Sequence, residues 1–196
     1  MTDEMFMFYK NAIVRHLCTE WQTDWKKILG DDEKLFSFCL MQQSIPYFAT
    51  AVYEGWGLTE DYLKSHFKDY INGNYTAINC DGVKGDYTYR MYVDYLDKII
   101  CDCHITHLLY CESDITIPQA QCPIIYISNK SKITINSEGF NFCSIYLFDE
   151  SEIIFDDICD NSKFIVYKYS DKCKVIKTDR CKGQIKEFQK ELRIYE

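Results

Sequence analysis

Proline and glycine are scarce, 3 and 8 residues in a chain of 196, which excludes a collagen-like repeat and a Pro/Gly-rich linker protein. No uninterrupted apolar run approaches the roughly 18 residues of a membrane-crossing helix, so a soluble chain without a membrane partner is expected. Basic residues are the minority, 22 Lys and Arg against 30 Asp and Glu for a net charge of -8. That balance argues against direct, sequence-independent binding to nucleic acid or to an anionic membrane. The phosphate-cradling glycine loops of the P-loop and Rossmann types are missing, since Gly55-Trp56-Gly57 lacks the rest of either motif. So are the paired Cys-x-x-Cys knuckles that make many zinc sites recognisable.

What is present suits a folded chain: 47% of residues are hydrophobic and 16% aromatic, enough to bury a core. The 11 cysteines are an odd number, and Met1 to Phe6 opens with acids where a secretory signal would place Lys or Arg. Both features predict a reducing cytoplasm, with the cysteines acting as thiols that fill small apolar gaps.

The first 75 residues read as a helical unit. Phe6, Ile13, Leu17, Trp21, Trp25 and Ile28 recur at helical spacing over residues 3 to 29, as one helix or two, and Gly30 stops them. A second segment, 33 to 54, is apolar and broken near Pro46. Thr59, Glu60 and Asp61 form an N-cap with acids in the first turn, leading Tyr62, Leu63, Phe67 and Tyr70 towards Gly73. From about Tyr75 the helical period is lost, and Tyr87 to Tyr95 alternates like a strand.

The back half repeats a five-residue phrase: small, any, apolar, any, apolar. Its clearest copies are 113–117, 131–135, 143–147, 151–155 and 162–166, with weaker ones starting at Cys103, Cys122, Cys173 and Cys181. In a strand, the first, third and fifth positions point to one side, so each copy offers one small and two apolar residues inward. One such arm cannot bury itself, but arms stacked in parallel rungs bury one another, and the small residue suits a corner where the chain bends. This pattern resembles the short parallel β-helix, or β-solenoid, repeat proteins, including some of bacteriophages and other mobile elements. The resemblance covers about 40% of the chain, is one of architecture, and brings no catalytic motif with it.

The expected fold is therefore α+β. A helical cap occupies 1–75, transition strands 76–102, a parallel β-solenoid of three to four coils 103–185, and a C-terminal capping helix 186–196, with Ile185, Phe188, Leu192 and Tyr195 on its face. An antiparallel β-sandwich or meander shares the strand spacing but does not require a small Ser or Cys at one phase.

The densest set of potential metal ligands is Cys101, Cys103, His104, His107 and Cys111, of types that zinc accepts. On a helix Cys103, His107 and Cys111 would share a face; on a strand Cys101, Cys103 and His107 would lie on one side and His104 on the other. The plain alternative makes Cys103 a repeat corner and the histidines surface groups, with no cofactor. His16 and Cys18 stand two apart and do not form a dyad on a helix. Asp149, Glu150, Glu152, Asp156, Asp157 and Asp160 could offer oxygen to calcium, or simply be solvated turns. Tyr126, Tyr146, Tyr167 and Tyr169 lie in or beside predicted strands, where partly exposed tyrosine serves as a rigid contact for another protein.

With no credible catalytic set, the leading expectation is a non-catalytic interaction protein that binds a protein partner through the solenoid: a scaffold, an assembly component or an inhibitor. Two alternatives come from other classes. One is a metal-dependent or thiol enzyme centred on residues 101 to 111, and the other is an acidic DNA mimic. Lysines and Arg180 between 163 and 182 interrupt any continuous acidic face for the latter.

Overall fold

The structure is a computed structural model that describes residues 3–15, 19–28, 30–31, 34, 51, 54–67 and 89–191. It divides into two compact units, one carrying the helices and the other the strands.

In the helical unit, α1 runs Asp3–Val14, α2 Thr19–Ile28 and α3 Glu60–Phe67, so residues 3 to 29 hold two helices. Met5, Phe8, Tyr9 and Ala12 form the buried stripe of α1, at the spacing of one helix face. Trp25 of α2 packs on it, 5.0 Å from the Phe8 ring and 5.8 Å from that of Tyr9. The N-cap of α3 is as the sequence predicts: Tyr62 N–H donates to Thr59 Oγ1 at 3.1 Å. The break at Pro46, the exit at Gly73 and the His16/Cys18 pair lie outside the described residues.

The strand unit is a parallel β-solenoid. Its strands are β1 Tyr89–Val93, β2 Ile99–Ile100, β3 Ile105–Leu109, β4 Glu112–Ile117, β5 Ile124–Ser128, β6 Lys132–Ser137, β7 Phe142–Leu147, β8 Glu152–Phe155, β9 Lys163–Lys168, β10 Lys174–Lys177 and β11 Gln184–Gln189. The odd strands form one sheet, A, in the order β1-β3-β5-β7-β9-β11, and the even strands form the other, B, in the order β10-β8-β6-β4-β2. Every pairing is parallel. Consecutive strands never pair, because each crosses to the opposite sheet. A hairpin meander is thereby excluded for these residues.

Two arms make a coil. Among the described residues five such coils are followed by β11 alone, more coils than the sequence suggests, because β1 and β2 already form a coil ahead of residue 103. The register stacks like on like: Ile125, Ile145 and Val166 form one inward column, and Ile115, Ile135 and Phe155 another. All six are fully buried, and each such side chain contributes roughly 1.5–3 kcal/mol of burial free energy.

The corners explain the small residues. Glu112, Lys132, Glu152 and Lys174 are register partners, so the residues preceding them, Cys111, Ser131, Ser151 and Cys173, form one corner column, and all are buried. Ser131 Oγ donates to Ser128 O at 2.6 Å and accepts from Cys111 N–H at 3.0 Å. A larger side chain would displace these bonds between rungs. The phase of several repeat copies is corrected here. The weaker ones at Cys103 and Cys122 set their third and fifth residues, Ile105 and His107 and then Ile124 and Tyr126, on the outer face with Tyr146. The one at Cys181 is offset because Ile185 partners Phe164, and two of the clear copies are shifted as well. Ser113 stands opposite Ile133 and Cys143 opposite Phe164, inside the sheets, and the corners of those rungs are Cys111 and Asn141. Asn141 Oδ1 accepts from Gln121 N–H at 3.0 Å, so an amide serves here in place of a small residue.

Residues 184 to 189 are the strand β11, not the start of a capping helix. The last rung protects its edge with charge. Glu187 occupies the inward column opposite Val166 and pairs with Lys168 at 3.4 Å, and an inward charge discourages further strand addition.

Candidate functional site: an aromatic ladder on sheet A

On the outer face of sheet A the register aligns His107, Tyr126, Tyr146, Tyr167 and Phe188 in a single column. Ring centroids are 4.8 Å apart for Tyr126 and Tyr146, 5.1 Å for Tyr146 and Tyr167, and 5.8 Å for Tyr167 and Phe188, all stacked. A second column begins two residues further along, where Phe148 and Tyr169 stack at 4.9 Å. The cause is the coil itself. Parallel rungs repeat every 4.7–4.9 Å, close to the separation that offset-stacked rings prefer.

The structure thus brings together all four tyrosines singled out from the sequence, Tyr126, Tyr146, Tyr167 and Tyr169. Their exposure is graded. Tyr126 and Phe148 are buried, Tyr146, Tyr167 and Tyr169 are half-buried, and Phe188 is 45% exposed. Burial raises the phenol pKa of Tyr146 and Tyr169, so the rings stay neutral through the physiological range. Lysines flank the open end: Lys163 and Lys186 are exposed on the same outward phase, and Lys190 Nζ lies 5.6 Å from the centre of the Tyr167 ring, a cation–π contact. Phe142, also on this face, is 41% exposed.

Phe148 and Phe188 join the ladder although the sequence does not single them out. Phe188 follows Tyr167 by one coil, as Tyr167 follows Tyr146, but the helical spacing of Ile185, Phe188 and Leu192 masked that relation.

The candidate ligands of residues 101 to 111 are dispersed. Cys101 and Cys103 meet at the entry to β3. Both sulfurs contact Thr106 Oγ1, at 3.4 and 3.0 Å, and the two thiols, both free, share a hydrogen bond. That bond raises the pKa of Cys101, with burial adding to it. It lowers that of Cys103, assisted by Thr106 and the charge of Arg90. The chain bends at Cys103 and His104, which breaks the strand alternation, leaving Thr106 inside and His107 on the outer face. His104 is exposed. Cys111 lies in its corner, within hydrogen-bonding distance of Tyr92 O and Leu109 O at 3.4 and 3.3 Å, and burial pushes its pKa up to about 12.

His107 is completely buried, and desolvation pulls its pKa down to about 3. Its Nε2 lies 3.3 Å from Ser128 Oγ, while the Ser128 hydroxyl donates to Asn129 Oδ1 at 2.7 Å. The serine proton is committed to the amide, so His107 Nε2 carries hydrogen and donates. An imidazole that donates to serine cannot act as its base. Among the described residues, no three Cys, His, Asp or Glu side chains are grouped to hold a metal ion.

The acid-rich stretch is also occupied. Asp149 is a buried corner, with φ at 49°. Its carboxylate accepts from the N–H groups of Asn129, Lys130 and Glu150 and from Ser151 Oγ. Burial raises its pKa and these bonds oppose the rise. Glu150 pairs with Lys172 at 2.8 Å, Glu152 lies 3.7 Å from both Lys132 and Lys174, and Asp156 bonds Arg180 and Thr178. On sheet B the column Glu112, Lys132, Glu152, Lys174 alternates in sign. Near its start lies an open groove of about 370 Å³, lined by Lys98, Glu112, Asp114 and Lys132 among others.

Among the described residues no helix is long and apolar enough to cross a membrane. Compared with protein-family models, with curated proteins and with solved structures, the chain matches none of them, so the aromatic ladder and its surroundings carry the functional reading.

Proposed function

We propose that this chain is a non-catalytic binding module that docks another protein on the outer face of sheet A. The observation that carries the reading is the register-aligned ladder Tyr126, Tyr146, Tyr167, Phe188, which opens to solvent at its C-terminal end beside Lys186 and Lys190. Stacked rings are held rigid before binding, which lowers the ordering cost of an interface. Large, amphipathic side chains of this kind are enriched among binding hot spots. The flanking lysines select the partner: a segment with carboxylates around an apolar or aromatic side chain. The resemblance to solenoids of phages and mobile elements suggests an assembly component or an inhibitor of a host factor.

Selection of random peptides displayed on a surface tests this without a known partner. Peptides combining acids with an aromatic residue should be enriched, and their binding should weaken by roughly tenfold or more in Phe188→Ala and fall with added salt. Enrichment that Phe188→Ala and Lys190→Glu leave intact, or none at all, would place the binding face elsewhere. The acidic DNA-mimic alternative finds no support in the sheet B column, where acids and lysines alternate.

A further inference from the structure

Cys101 and Cys103 bracket Asp102, the one Cys-x-Cys in the sequence. The backbone is tight there, with Asp102 N–H donating to Ile100 O at 3.1 Å. Thr106 Oγ1 bridges the two sulfurs at 3.4 and 3.0 Å and can donate to whichever is anionic. Arg90 lies alongside, its Nη1 3.2 Å from Asp102 Oδ1. Both cysteines are free thiols. Their access differs: Cys101 is 0% exposed and Cys103 3%. Both residues are buried, and the Cys103 sulfur also lies 3.3 Å from Ile105 O; the less deeply buried Cys103 takes the place of the attacking cysteine and the sealed Cys101 beside it that of the resolving one.

We infer that Cys101 and Cys103 are a reversible dithiol that reduces a small hydroperoxide and closes to a disulfide. Cys103, as thiolate, attacks one peroxide oxygen; the S–O bond forms, the O–O bond breaks, and hydroxide leaves to take up the thiol proton as water. Cys101 then attacks the sulfenic sulfur. The S–S bond forms, the S–O bond breaks, and the second oxygen leaves as water with the Cys101 proton. Two thiols lose two electrons and two protons, and one hydrogen peroxide becomes two waters. An external dithiol reverses the change. This thiol oxidation is a stoichiometric response of the dithiol, separate from the binding face on sheet A, and leaves the non-catalytic reading of that face unchanged.

The test treats the full chain with one equivalent of hydrogen peroxide, then alkylates it and fragments the tryptic peptide 99–130. Exposed Cys122 lies in the same peptide and serves as the internal competitor. The expected product has lost two hydrogens at Cys101 and Cys103, leaves Cys111 alkylated, and returns to two thiols with dithiothreitol. Cys101→Ser should stall as a sulfenic acid on Cys103, captured by a cyclic 1,3-dione. Cys103→Ser should slow oxidation at this site by about tenfold or more. Oxidation of Cys122 while Cys101 and Cys103 remain thiols would overturn the inference, as would equal reactivity of the two variants. If either variant fails to fold, the wild-type map alone decides.

Discussion

His107 makes the solenoid sensitive to acid, and the size of the effect follows from its burial. Folded, the imidazole stays neutral down to about pH 3; in the unfolded chain it takes a proton near the ordinary 6.5. Below 6.5 the unfolded state therefore binds a proton that the native state does not, and stability is lost as the pH falls towards 3. The slope is about 1.4 kcal/mol per pH unit, so pH 4.5 removes roughly 2.7 kcal/mol, a substantial part of a typical 5–15 kcal/mol. His107→Gln isolates this contribution, because glutamine can still donate to Ser128 but cannot titrate. Urea unfolding of wild type and variant, followed by the amide signals of β5 and β7 at several pH values, gives the difference directly. Whatever the variant costs at pH 7.5, the gap should shift in its favour by about 1.4 kcal/mol for each unit below 6.5. Parallel pH profiles would show that His107 is not neutral and sealed, and the reasoning would fail.

Other outcomes follow from the same geometry. Ile145→Ala, in the middle of an inward column, should cost about 2–5 kcal/mol in chemical denaturation. Asp149→Ala leaves the buried Asn129 N–H without its acceptor and should cost about 1–3 kcal/mol or more, with Asp149→Asn losing less. Tyr146→Ala removes stacking on both Tyr126 and Tyr167 and should cost about 0.5–1.5 kcal/mol per ring contact beyond its lost burial, whereas Tyr146→Phe should be close to neutral. Glu152→Gln removes two partly exposed pairs and should change stability by less than about 1 kcal/mol, an effect that disappears at high salt.

The solenoid was legible because the repeat is one of burial. A small residue followed by alternating apolar residues is what a stacked arm demands, and Ser131 to Ile135 carries it in full. Phase was less legible. At 111 to 117 both Cys111 and Ser113 satisfy the small position, and only the partners Lys132 and Glu112 decide between them. The corner at Asn141 escaped because an amide, through its hydrogen bonds, replaces the small side chain. At the C-terminus, Ile185 and Phe188 fit a helix face as well as a strand, and local spacing cannot register that Gln184–Gln189 extends a waiting sheet edge. Residue type and strand context single out the four tyrosines. Their stacking depends on coil length, which the unequal repeat spacings obscured. The Cys/His cluster looked like a ligand set because its members are close in sequence, but the bend at Cys103 and His104 sends them to different surroundings.

The claim beneath all of this is that like-directed strands lie rung upon rung, and methyl-labelled isoleucine in solution tests it most directly. Nuclear Overhauser contacts should link Ile115 with Ile135, Ile133 with Ile153, and Ile125 with Ile145, the partners of adjacent coils. Short Hα–Hα contacts between consecutive segments, such as 105–109 with 112–117, would instead mark antiparallel hairpins and contradict the stack.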